Sequence, residues 1–199
     1  MDWVAVGLCA DVPPRTVVPR RVMNMDLAIW CSTAGVFHAW GDRCPHRGMR
    51  LSHGFVRGES LSCIYHGWTY DGDGARVSIP AHPDLTPPRS ICAAQYACRV
   101  QDGTIWVALQ PTQAAVPALG ARRAIRSLAV QLSAETLATR LKQPFGPVIT
   151  IGGTHDIALA VQPGTDTDCL LHAFAALDQD RKTVSLVLEH LRDELEAVV

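Results

Sequence analysis

Through its first 110 residues the chain repeats one pattern, a short apolar run followed by a turn of polar, glycine or proline residues. Residues 3–8 and 16–22 have strand composition and are separated by the Pro13-Pro14 turn. Leu27–Cys31 and Val36–Trp40 flank Ser32–Gly35 and read as a hairpin. Trp68–Tyr70 leads into Asp71-Gly72-Asp73-Gly74, a strong turn signal, and Tyr96–Val100 pairs with Thr104–Leu109 as closing strands. Strands this short at this spacing predict a small antiparallel β-sandwich. Residues 80–88 hold four prolines and read as an irregular loop.

The pattern changes at residues 111–120, where Pro and Ala dominate. Residues 121–142 read as helical. After the Pro144–Pro147 break, Val148–Ile151, Ile157–Val161 and Leu170–Leu177 read as three strands. Val184, Val187, Leu188, Leu191, Leu195 and Val198 then recur at helical spacing, with Asp180 placed to cap the helix. The expected architecture is therefore mainly β: an antiparallel sandwich over 1–110, a linker over 111–126, and a small α+β region of β-β-β-α order over 127–199.

Composition narrows the classes. A hydrophobic share of 48% with 19% charged residues describes an ordinary globular protein. A net charge of −1 gives no global reason to expect a nucleic acid partner. No apolar run approaches the roughly 20 residues of a membrane helix, and residues 1–14 lack the basic start of a secretion signal. Seven cysteines, an odd number at irregular spacing, argue against a disulfide framework, so a cytoplasmic location is expected.

Candidate chemistry lies between Cys44 and Trp68. The stretch reads CPHRG, sixteen residues after His46, then CIYHGW, so Cys44 and His46 face Cys63 and His66. Two thiols and two imidazoles on two loops suit either a tetrahedral zinc or a two-iron cluster with two Cys on one iron and two His on the other. Mixed zinc sites usually draw both thiolates from one knuckle and both histidines from a helix. Here each arm carries one of each, which favours the cluster. Gly48 and Gly67 let backbone N–H groups approach the sulfurs, and Arg47, Tyr65 and Trp68 flank the imidazoles.

Residues 44–48 and 63–68 resemble the two cluster loops of the Rieske [2Fe–2S] domain. The resemblance runs through about residues 3–110, including Trp3, IPAHP at 79–83 and GTIWVAL at 103–109. Met49 and Tyr65 stand where cytochrome-complex Rieske proteins carry an extra disulfide. YHGWTYD at 65–71 instead resembles the oxygenase type, found in ring-hydroxylating and demethylating bacterial systems. The resemblance implies a [2Fe–2S] cluster held by Cys44, His46, Cys63 and His66, with Arg47, Gly48, Tyr65, Gly67 and Trp68 around it. It also implies a reduction potential toward the low end of the Rieske range, with few hydroxyl donors near sulfur.

In that family a catalytic domain follows, with a mononuclear iron held by two nearby His and a carboxylate. Outside the cluster loops, no two of this chain's eight histidines lie within six residues of each other. His155, His172 and an acid such as Asp193 or Glu194 could meet only through folding; helical phase points Asp193 to solvent and leaves Glu194 and His190 beside the apolar stripe. The bland roles are a surface position for His155, a half-buried strand position for His172, and turns or surface for His38, His53 and His82. Three functions follow: an electron carrier working with a reductase or an oxygenase subunit, a shortened oxygenase with an unusual iron site, and a redox- or iron-sensing or structural subunit. No catalytic residue is assigned. Arg43, Arg47, Arg50 and Arg57 carry no acid among them from 43 to 57, and read as solvated side chains with one structural partner, or as a basic rim for an acidic redox partner.

Overall fold

The computed structural model describes residues 1–85, 88 and 91–197. The front of the chain forms β1 (Val4–Leu8), β2 (Thr16–Val22), β3 (Met25–Cys31) and β4 (Phe37–Gly41), then the short β5 (Phe55–Arg57), β6 (Ser60–Ser62), β7 (Thr69–Asp71) and β8 (Arg76–Ser78), and finally β9 (Gln95–Gln101) and β10 (Thr104–Ala108). The back forms β11 (Arg122–Val130), α1 (Ala134–Arg140), β12 (Val148–Ile151), β13 (Ile157–Pro163), β14 (Cys169–Ala176) and α2 (Arg181–Ala197). Pairing is antiparallel throughout, in a six-stranded sheet of order β1-β10-β9-β4-β3-β2 and two four-stranded sheets, β5-β6-β7-β8 and β11-β14-β13-β12.

The mainly β class and the β-β-β-α run over β12, β13, β14 and α2 match the sequence reading. Asp180 caps α2 by accepting from the Thr183 N–H at 2.8 Å, and Val184, Leu188 and Leu195 are buried beneath it. Val198, the last position of that stripe, and Pro87 of the 80–88 loop lie outside the described residues. The helical reading of 121–142 is corrected. Only 134–140 is helical, and 122–130 is the edge strand β11, paired along its length with β14.

Period-two alternation explains how front and back join. On β10, Ile105 and Val107 face the front core, whereas Trp106 and Ala108 face the back. On β13, Ile157, Leu159 and Val161 face the core under α2, whereas Ala158 and Ala160 face the front. The two sheets thus meet through one shared layer holding Trp3, Ala5, Trp106, Leu119, Ala158, Ala160 and Phe174. Residues 111–120 lie along this layer: the Trp3 indole N–H donates to the Ala114 carbonyl at 2.8 Å, and Asp102 accepts from the Leu119 N–H at 2.8 Å.

His172 sits in the same seam and is fully buried, not half-buried. Its Nδ1 lies 2.9 Å from the Ser127 hydroxyl and its Nε2 3.2 Å from Gln162 Oε1, while the Gln162 amide donates to the Arg21 carbonyl at 2.8 Å. Burial, with Arg20 nearby, holds the imidazole down to about 3. Unfolded, it would take up a proton near 6.5. Between those values the unfolded chain binds more protons than the folded one, so this contribution is complete above about 6.5 and is lost as pH falls through the window. The steepest slope is one proton, about 1.4 kcal/mol per pH unit. Urea titrations from pH 7 to pH 4 should show His172→Gln losing stability less steeply with acid than the parent.

Candidate metal centre

Two loops of one geometry carry the candidate ligands. In the first, the Cys44 N–H donates to the Met49 carbonyl and the Gly48 N–H to the Cys44 carbonyl, both at 2.8 Å; in the second, Cys63 pairs with Trp68 at 2.8 Å and Gly67 with Cys63 at 3.0 Å. The turns need φ of +70° at Gly48 and +71° at Gly67, which glycine adopts without strain. The two glycines differ in room. A Cβ on Gly67 would lie 2.9 Å from Pro80 Cγ, whereas one on Gly48 meets nothing within 4 Å. Gly48→Ala should therefore cost about 1 kcal/mol of backbone strain, and Gly67→Ala more, with greater cluster loss on gel filtration.

The four side chains come together in pairs. Cys44 and Cys63 are both buried in one core layer with Trp40, Leu51, Leu61 and Tyr70, and each thiol lies within the other's electrostatic reach. Burial pushes the Cys63 thiol up. The His46 and His66 rings lie edge to face with centroids 4.7 Å apart, His46 half-buried and His66 exposed. Desolvation, then His66 and Arg47, holds His46 below its usual range. Among the described residues no three His, Cys, Asp or Glu side chains converge on one ion-sized point. Paired thiols beneath paired imidazoles suit two metals bridged by inorganic sulfide better than a single tetrahedral zinc.

A family profile described as the Rieske [2Fe–2S] domain matches residues 2–97. The front half of this chain is a Rieske [2Fe–2S] domain. It binds a [2Fe–2S] cluster. Among curated proteins, the chain is 38% identical over 109 residues to oxidoreductase NdmD of Pseudomonas putida, covering 54% of this chain and 18% of that protein. It is 39% identical over 109 residues to the 4beta-methylsterol monooxygenase of Methylococcus capsulatus, covering 53% and 29%. The chain thus spans less than a third of each of these relatives. Of solved structures, apo dicamba monooxygenase aligns with a TM-score of 0.80 at 19% identity over 99% of this chain and 84% of that one. NdmA of Pseudomonas putida CBB5 aligns at 0.79 and 18% over 98% and 80%. At these identities the likeness is one of fold, and it extends past the Rieske domain into the back half.

Around the Rieske loops, several neighbours were not legible in the sequence. The Tyr70 hydroxyl lies 3.2 Å from Cys44 Sγ, so at least one hydroxyl does approach sulfur. Burial and then Cys44 raise the phenol's pKa. Asp42, its carboxylate fully buried, accepts from the Ser52 N–H and hydroxyl at 2.7 Å each, and Arg50 bridges it at 3.5 Å to Asp26 at 2.9 Å. This clip ties the first loop to β3 and makes Arg50 the structural arginine of the basic run. Arg43 donates to the Gly48 carbonyl at 3.2 Å, and Arg57 lies over the Phe55 ring at 4.7 Å. Trp68 stacks on His46 with centroids 4.1 Å apart and planes within 5°. Tyr65 tilts against His66 at 3.8 Å.

The histidines outside the loops take other places. His38 stacks on Trp30 at 4.0 Å. His82 lines an open apolar pocket of about 450 Å³ beside the two loop imidazoles. His155, His172, His190, Asp193 and Glu194 are not brought into one cluster among the described residues. Asp193 faces solvent and pairs with Arg192 at 2.8 Å.

Proposed function

We propose that this chain is a one-electron carrier in a non-haem iron oxygenase system, passing electrons between a reductase and an oxygenase subunit. Cys44 and Cys63 would hold one iron of the cluster, and His46 and His66 the other. When bound, the cluster accepts and returns one electron, at a potential raised by the two neutral ligands above that of all-Cys clusters. What supports the reading is the pairing itself: two buried thiols beneath two imidazoles that reach solvent, so the outer pair offers the electron an exit. The back half braces the Rieske domain, its core filled by Ile125, Leu128, Leu159, Leu171, Val184 and Leu188. The five cysteines other than Cys44 and Cys63 form no disulfide, which suits a reducing, cytoplasmic setting, and no helix among the described residues is long and apolar enough to cross a membrane.

Tyr70 tunes the cluster. Its hydroxyl, 3.2 Å from Cys44 Sγ, would donate to a metal-bound thiolate there and favour the more negative, reduced state. Tyr70→Phe should lower the reduction potential, read by voltammetry, with the optical spectrum unchanged in shape.

Iron analysis with EPR on anaerobically purified protein tests the function. Two irons per chain, a reduced-state signal of Rieske type and one-electron reoxidation by an oxygenase component are expected. A third iron, or a protein that never takes up an electron, overturns the reading.

A further inference from the structure

The pocket beside the imidazoles is built from two sides. His46, His66 and Trp68 form one wall, and Ile79, His82, Leu85 and Ile91 stand in the other. An occupant therefore touches the outer imidazoles directly. Apolar side chains here are turned to water: Ile64 is 58% exposed and Tyr65 57% in the second loop, and Leu85 56% in the wall itself. Exposed apolar groups gathered at one tip mark an interaction surface.

The charge around that tip selects the partner. Arg50 is neutralised by Asp26 and Asp42. Arg43 and Arg47 are exposed, and among the described residues neither has a carboxylate at ion-pair distance. Asp84 is the one acid among the described residues of that second wall, against the two exposed arginines, so the rim stays positive.

Resting on the electron-carrier reading, we infer that this pocket receives an apolar anchor side chain from an acidic protein partner. The anchor seats between Trp68 and Leu85, and carboxylates around it meet Arg43 and Arg47. Desolvated pockets of this kind carry most of the energy of an interface, and rim charges mainly set its approach rate and salt dependence.

The test uses the full cluster-loaded chain and three dye-labelled peptides: one with a central tryptophan flanked by aspartate and glutamate, its alanine counterpart, and a tryptophan peptide flanked by lysine. Fluorescence anisotropy should show the acidic tryptophan peptide binding at least about tenfold tighter than either control. Leu85→Asp should abolish that preference, and Arg47→Glu should weaken binding and flatten its salt dependence. Equal binding of the alanine peptide, or indifference to Leu85→Asp, overturns the inference. So does binding of free indole as tight as that of the peptide, which would make this a small-molecule site. Failure of the carrier reading shows separately, as a missing Rieske EPR signal in the same samples.

Discussion

Replacing Phe174 by alanine should cost about 3–5 kcal/mol and lower the stability of both halves together. Phe174 is fully buried on β14, on the face opposite α2. Its ring lies in the layer shared with Trp3, Leu8 and Trp106 from the front and Ala158 and Ala160 from the back. Those alanines and the surrounding strands cannot collapse into the space left behind without moving a sheet, so most of the cavity term should be felt. The chain carries its own reporters. All five tryptophans precede residue 111, and both α-helices follow it. Tryptophan fluorescence and the helical circular dichroism signal should give coincident urea transitions in the parent and in Phe174→Ala, both shifted to lower denaturant. A variant in which the helical signal melts early while the tryptophan transition stays put would show that the halves fold independently.

What could be read from the sequence, and what could not, divides along range. The two loops are local: Cys44 to Met49 and Cys63 to Trp68 each close their own hydrogen bonds within six residues, so spacing and glycine placement reveal them. The strand β11 misled for a physical reason. Its register with β14 shifts between Ala124 and Arg126, leaving Ile125 as the bulged residue. Ile125, Leu128 and Val130 are buried, so the bulge puts a spacing of three where a regular strand has two, and three is what a helix shows. His172 lay beyond reach because its partners come from β13 and β11, ten and forty-five residues away. The pocket was hidden likewise: its far wall is a proline-rich loop without periodicity, and nothing in its own residues says that it arches beside His46 and His66. The basic run looked uniform in sequence; only the fold separates Arg50, tied to Asp26 and Asp42, from the exposed Arg47.

Cys63→Ser is expected to remove the cluster almost wholly, leaving about tenfold less iron and no visible colour, because a serine oxygen is a poor, mostly protonated substitute for the soft thiolate that iron–sulfur clusters require. The comparison that gives the result meaning is Cys98→Ser. Cys98 lies on β9, and burial pushes its thiol up to about 12, so it is a neutral apolar filler with no part in holding iron. That variant should keep its full iron content and spectrum. Loss of the cluster should also loosen the second layer of the fold. Cys44 and Cys63 share a small core with Trp40, Leu51, Val56, Leu61 and Tyr70, and the binding energy of the metal centre is part of the folding energy of the loops that surround it. The core beneath α2 and the layer around Phe174 contain neither cysteine. Hydrogen exchange in Cys63→Ser should therefore quicken through residues 44–70 while β13, β14 and α2 keep their protection. If Cys63→Ser retained the Rieske spectrum, Cys63 would not be a ligand of the inner iron.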